Sequence, residues 1–202
     1  MKRIHRARSR DEIARIYDEW GEDYERETMR LGYSMPAIVA GLFGRYVSSR
    51  EGKILDVGAG TGILGEMLYL LGFRNLTAMD FSQAMLEVCR TRGVYDELCE
   101  AILGEKLGFP DATFDAVAVM GVYGKGHAPA HSLMELTRIT RPCGHIIFSI
   151  RVDEYEAEGF KKLQGFLEEE RVWTLVEVTE PFDSMPLDTS GIMNLIFVYR
   201  VL

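Results

Sequence analysis

The chain is poor in the residues that build covalent or metal frameworks. Its three cysteines, Cys89, Cys99 and Cys143, are odd in number and form no C-x-x-C pair, which speaks against a disulfide scaffold or a structural zinc and for a reduced, intracellular setting. The four histidines are scattered, no H-E-x-x-H occurs and no paired carboxylates stand at ligand spacing, so no metal site is expected. No run approaches the roughly 18 apolar residues of a membrane span, and no apolar stretch follows the basic start as in a secretion signal. The expectation is a cytoplasmic protein that meets no membrane. Basic residues are scarce beyond the first ten positions: five of the 23 (Lys2, Arg3, Arg6, Arg8, Arg10) lie there, leaving 18 against 31 acidic residues. Such a body repels polyanions, the basic arm reads as a solvated terminus, and nucleic acid is not expected as a partner. Internal repeats and low-complexity segments are also missing.

What is present fits one domain. With 202 residues, 47% hydrophobic and 27% charged, the chain can bury a full core. Residues 11–30 carry Ile13, Ile16, Tyr17, Trp20 and Tyr24 at helical spacing on a charged background, which predicts an amphipathic helix broken near Gly21. Its aromatic stripe suits packing on the core or a cover over a flat ligand. A second helix is expected over 35–46, with Pro36 in its first turn.

The stretch K-I-L-D-V-G-A-G-T-G over 53–62 reads as a buried strand ending in a glycine turn. Glycines at 58, 60 and 62 let backbone turn tightly and approach a ligand closely. Ile63, Leu64, Met67, Leu68 and Leu71 then follow at helical spacing, so the turn aims helix N-terminal amides at whatever is bound. Further strands are expected at 76–79 (ending in Asp80), 98–103, 114–122 and 146–150. Between them fall helices, one capped by Ser82 and ending at Gly93, another opened by Pro129 and ended by the turn R-P-C-G-H. Residues 154–170 predict an acidic helix with Phe160, Leu163, Phe166 and Leu167 inward. Two last strands, 172–178 and 192–201, should pair antiparallel. The sum is an α/β fold: an open, mostly parallel, doubly wound, Rossmann-like sheet of seven strands with a terminal antiparallel hairpin and helices on both faces. Ligand then lies beyond the carboxyl ends of the strands, which gathers 58–62, Asp80, 103–105 and 120–123 around one crevice.

The glycine pattern alone leaves the cofactor open. G-x-G-x-x-G fails from Gly58 and is met from Gly60, so a nicotinamide oxidoreductase stays possible. Against it stand the absence of a Y-x-x-x-K pair, the lack of a second domain, and Asp56, which would face a pyrophosphate unfavourably but attracts an ammonium or sulfonium.

Taken together, I-L-D-V-G-A-G-T-G, D-F-S-Q-A-M-L, F-P-D-A-T-F-D-A-V and E-L-T-R-I-T-R-P-C-G-H-I resemble, in order and spacing over about residues 13–150, the motifs of class I S-adenosylmethionine-dependent methyltransferases. Y-D-E-W-G-E-D-Y-E and G-V-Y-G-K-G-H-A-P are most similar to the Williams-Beuren syndrome region methyltransferase-like group. The resemblance implies methyl transfer from S-adenosylmethionine, leaving S-adenosylhomocysteine, to a small-molecule acceptor, within a single domain over 1–202 whose residues 1–50 form a helical cap. It implies that Gly58, Gly60 and Gly62, with Ala59 and Thr61 between them, line the methionine part, with Asp56 acting on its ammonium end. Asp80 would take both ribose hydroxyls; Phe81 and Met85 would flank the adenine. Leu103 stands where relatives carry an acid against the adenine amino group, so Glu105 or backbone near Gly104 would serve. Met120 completes the set, and Tyr17, Trp20 and Tyr24 would fold over the cofactor. Another departure is Cys143, where relatives carry glycine in the turn before strand five. Tyr123 and His127, with His131 and Tyr17 behind them, are the candidates for a base, although a lone loop histidine also reads as an ordinary surface residue and the reaction needs no base unless the acceptor must lose a proton. A cofactor-binding regulator or scaffold without transferase activity is the alternative of a different class.

Overall fold

A computed structural model describes residues 23–124, 128–157 and 159–202, with only the backbone of Tyr24 and Glu156. Tyr17, Trp20 and His127 lie outside the described residues, as does the start of the expected first helix; the part described is α1 (Asp23–Arg30).

The order from there is α2 (Met35–Tyr46), β1 (Ile54–Val57), α3 (Ile63–Leu70), β2 (Leu76–Asp80), α4 (Gln83–Arg92), β3 (Glu97–Glu100), β4 (Phe114–Tyr123), α5 (Ser132–Ile139), β5 (Thr140–Arg151), α6 (Val152–Ala157), α7 (Phe160–Glu169), β6 (Trp173–Val178), β7 (Phe182–Asp183) and β8 (Met193–Val201). The sheet runs β3-β2-β1-β4-β5-β8-β6, with β7 pairing on β8. β1 to β5 pair parallel, whereas β8 runs antiparallel to β5, β6 and β7. The two-residue β7 is an eighth strand that the seven-strand expectation lacks; it lies in the loop between the two terminal strands.

Alternate residues of the central strands feed two separate cores. Leu55, Val57, Val117, Val119, Ile146 and Phe148 pack with α5 and α7 on one face. Ile54, Ala116, Ala118, Ile147, Ile196 and Val198 pack with α2 and α3 on the other. Burial of both faces is why these strands read as continuous apolar runs. On the first face Trp173 and Tyr199 stack 3.9 Å apart, with Phe148 and Phe197 stacked beside Tyr199.

Several expectations move. β3 ends at Glu100, three residues early, freeing 101–105 as a loop at the strand ends. The R-P-C-G-H turn is absorbed into β5, which starts directly after α5; Cys143 keeps the left-handed conformation (φ +67) that glycine usually supplies. The acidic helix breaks at Gly159 (φ +80) into α6 and α7, and the new phase leaves Phe166 half exposed instead of inward. Met35, Val39 and Phe43 of α2, within the segment expected as a cap, are buried in the second core, so this helix packs as a layer on the sheet.

The aromatic stack sets a stability test. Trp173→Ala should lower the unfolding free energy by about 3–5 kcal/mol, the range for deleting a fully buried large aromatic, read as the midpoint shift in urea at constant m-value.

Candidate functional site

β1 ends at Val57, and the chain reverses at once. The N–H groups of Gly58 and Ala59 both donate to the carbonyl oxygen of Met79 on β2, at 2.7 and 3.1 Å, which pins the loop to the neighbouring strand. Gly58 (φ +66) has to be glycine, since a Cβ there would stand 2.2 Å from Cγ2 of Val122. Gly60 (φ +55) differs, because nothing lies within 4 Å of its absent Cβ. Gly60 lines a cleft bordered by the loop, of about 840 Å3 counting the part open to solvent.

β2 forms the next wall. Asp80 at its tip is 5% exposed; its Oδ2 accepts from Gly60 N–H and its Oδ1 from Ser82 N–H, both at 2.9 Å. Ser82 in turn caps α4, accepting from Met85 N–H at 3.2 Å. Phe81, Met85, Ala101 and Leu103 continue this side of the cleft. β4 lies on the other side of β1 and brings Met120, Gly121 and Val122, while Tyr33, just after α1, reaches over from the N-terminal segment.

Of the residues expected at the site, Gly58, Ala59, Gly60, Thr61, Asp80, Phe81, Met85, Leu103 and Met120 line the cleft. Gly62 stands at the start of α3 (φ +82) instead. Gly104 (φ +108) turns the next loop, its carbonyl 3.0 Å from Nε2 of His131, and Glu105 is exposed; neither lines the cleft. Tyr123 is 2% exposed, bonded to Ser132 Oγ and packed on Phe148 and Phe160. Burial pushes its phenol well above the usual range. It lies on the same face of β4 as Val117 and Val119, packs into the first core and does not line the cleft, so it is not placed to meet an acceptor.

Asp56 also stays out of the cleft. It is 2% exposed beneath the glycine loop, where Oδ2 accepts from the Tyr95 hydroxyl at 2.7 Å. Burial raises its carboxyl from 3.8 to about 7, the Tyr95 bond opposing and the Asp80 charge adding. Cys89 lies beside them, Sγ 3.1 Å from the carbonyl of Gly60, its thiol pushed up to about 12 chiefly by burial. Sequence reasoning missed this support: Tyr95 is 39 residues from Asp56 in the chain and carries no motif. The one hint is Gly65, whose Cβ would stand 2.1 Å from the Tyr95 hydroxyl.

The folded carboxyl of Asp56 titrates above its unfolded value, so between about pH 4 and 7 the folded chain holds a proton that the unfolded chain has released, and stability falls as pH rises through that window. Asp56→Asn keeps an acceptor for Tyr95 and removes the titration. Wild type should lose up to about 4 kcal/mol relative to this variant between pH 4 and 8; urea melts with parallel pH profiles would contradict it.

The residues present fit S-adenosylmethionine. The empty direction at Gly60 admits close approach, a carboxylate such as Asp80 suits a diol, and the flank of Phe81, Met85 and Leu103 suits an aromatic base. Among the described residues no group of three or more His, Cys, Asp or Glu could hold a metal, and no helix there is long and apolar enough to cross a membrane.

Comparison with known proteins agrees. Residues 55–148 match a family model described as "Methyltransferase domain". Methyltransferase-like protein 27 of Homo sapiens, from the Williams-Beuren region, is 31% identical over 156 residues, 76% of this chain and 63% of its own length. A demethylmenaquinone methyltransferase of Clavibacter sepedonicus is 31% identical over 150 residues, 73% of this chain and 61% of its own. The chain thus spans a little over three fifths of these curated relatives. Among solved structures, Burkholderia thailandensis 1,6-didemethyltoxoflavin-N1-methyltransferase with bound S-adenosylhomocysteine superposes with a TM-score of 0.64 at 17% identity, over 94% of this chain and 87% of its own. The [4+2]-cyclase SpnF also reaches 0.64 at 17% identity, over 82% and 81%. The ordered motifs, the strand order around the glycine loop and the matched model identify residues 55–148 as a class I S-adenosylmethionine-dependent methyltransferase domain.

Proposed function

We propose that the chain transfers the methyl group of S-adenosylmethionine to a small organic acceptor, working in the cytoplasm as a single domain and without nucleic acid. The observation that carries this is the juxtaposition of Gly60, open towards the cleft, with Asp80, a buried carboxylate in its wall. The cofactor supplies a methyl carbon already activated by its sulfonium, so alignment and a dry path are what the protein has to add. Backbone at 58–61 bounds the methionine end, with Asp56 beneath the loop adding negative potential when ionised. Asp80 orients the ribose, and Phe81, Met85 and Leu103 hold the adenine, with backbone near Leu103 rather than the exposed Glu105 meeting its amino group. The acceptor enters on the β4 side, between Met120, Gly121 and Tyr33. His127 is the remaining candidate for a base. The relatives named for demethylmenaquinone and for ubiquinone biosynthesis and the largely apolar lining favour an uncharged ring compound as acceptor.

The family assignment removes the nicotinamide reading. A chain that binds the cofactor without transferring methyl remains the second reading, favoured by the shared fold of a [4+2]-cyclase.

The test is formation of S-adenosylhomocysteine from S-adenosylmethionine across a panel of quinols, phenols and amines. Acceptor-dependent formation is expected, and Gly60→Ala should lower it at least about tenfold by filling the approach to the loop while costing the free protein only about 1–2 kcal/mol for a left-handed alanine. Tight cofactor binding with no turnover on any acceptor would favour the second reading.

A further inference from the structure

Arg92, the last residue of α4, meets three other parts of the chain at once. Its Nε donates to the carbonyl oxygen of Thr61 in the glycine loop, one terminal nitrogen donates to Glu66 on α3, and the other to Glu25 on α1. The arginine side chain is 15% exposed and that of Glu25 27%, so this pair is far more shielded than an ordinary surface bridge. The aliphatic part of Arg92 lies against the loop too, with Cδ 3.0 Å from where a Cβ of Gly62 would stand.

The fork geometry of a guanidinium fixes its three nitrogens relative to one another. A shift of α1 therefore pulls on the bond that Arg92 makes to Thr61. At its other end α1 leads into Tyr33, which stands in the cleft wall. The helix is thus tied to the cofactor loop through Glu25 and to the opposite side of the cleft through Tyr33. Neither the glycine motif nor the aspartate at the tip of β2 carries this link: Arg92 and Glu25 are 67 residues apart in the chain.

We propose that Arg92 is a positioning residue, coupling the docking of α1 to the cofactor-binding conformation of the glycine loop. The coupling rests on the reading of the cleft as the S-adenosylmethionine site. It is reciprocal: whatever stabilises the docked helix tightens the cofactor, and bound cofactor holds the helix in place by the same factor.

Glu25→Gln tests it in the full chain, since it cancels the charge on the α1 side and leaves the bonds of Arg92 to Thr61 and Glu66. S-adenosylhomocysteine is the probe, by calorimetry for affinity and stopped flow for release. The variant should bind about fivefold more weakly, mainly through faster release, while the thermal midpoint of the free protein stays within about 2 °C of wild type. Added salt should weaken binding by the wild type and have a smaller effect on the variant, a difference that a merely structural role would not produce. Arg92→Met, if it folds, should lower affinity non-additively with Glu25→Gln. Wild-type affinity, release rate and salt dependence in Glu25→Gln would overturn the coupling alone. A wild-type chain that binds no S-adenosylhomocysteine would overturn the reading of the cleft and the coupling with it.

Discussion

The carboxylate of Asp80 receives two N–H groups, that of Gly60 in the glycine loop and that of Ser82 at the head of α4. These are charge-assisted bonds in a largely buried place, stronger than neutral ones and costly to leave unmade. They fix the separation of two segments that follow different strands. The Met79 carbonyl completes the arrangement by holding Gly58 and Ala59. A loop bound this closely to β2 is ordered before ligand arrives, so little has to be frozen on binding.

Beneath the loop the chain accepts an unfavourable arrangement. Asp56, Tyr95 and Cys89 are polar groups packed under backbone that must stay close to a ligand. Burial keeps a proton on or near them up to about neutral pH in the case of Asp56. A carboxyl poised there responds to charge above it, and a cationic ligand would favour its ionised form. The cost at the site is thus electrostatic, since Gly58 and Gly60 take their positive φ without steric strain.

Much of this was legible in the chain because it is local. Strand, glycine turn, helix and the following strand tip occupy fewer than thirty consecutive residues, each with its own signal: apolar runs, Gly, Ser82 as cap, Asp80 as terminator. The parallel sheet and antiparallel end followed from the alternation of such units and its failure after α7. What escaped depends on contacts between distant residues or on the phase of an element. Tyr95 and Arg92 reach the loop from the end of α4, with no motif. Tyr123 is expected at the cleft from its position at the end of the strand alone, whereas its side chain shares the buried face of Val117 and Val119. Phe166 was placed inward on a continuous helix, and the break at Gly159 moves it to the surface. The buried face of α2 shows as apolar content in the sequence, yet whether it covers the sheet or the cleft is decided by packing.

The central claim is that the loop over 58–62 and the tip of β2 form a preformed cofactor cradle. Hydrogen exchange of the full chain, with and without saturating S-adenosylmethionine, measures this most directly. Slowed exchange centred on 58–61 and 80–85, with the distant strands β6 and β8 unchanged, is the predicted result. Identical exchange in those two segments with and without the cofactor would contradict it.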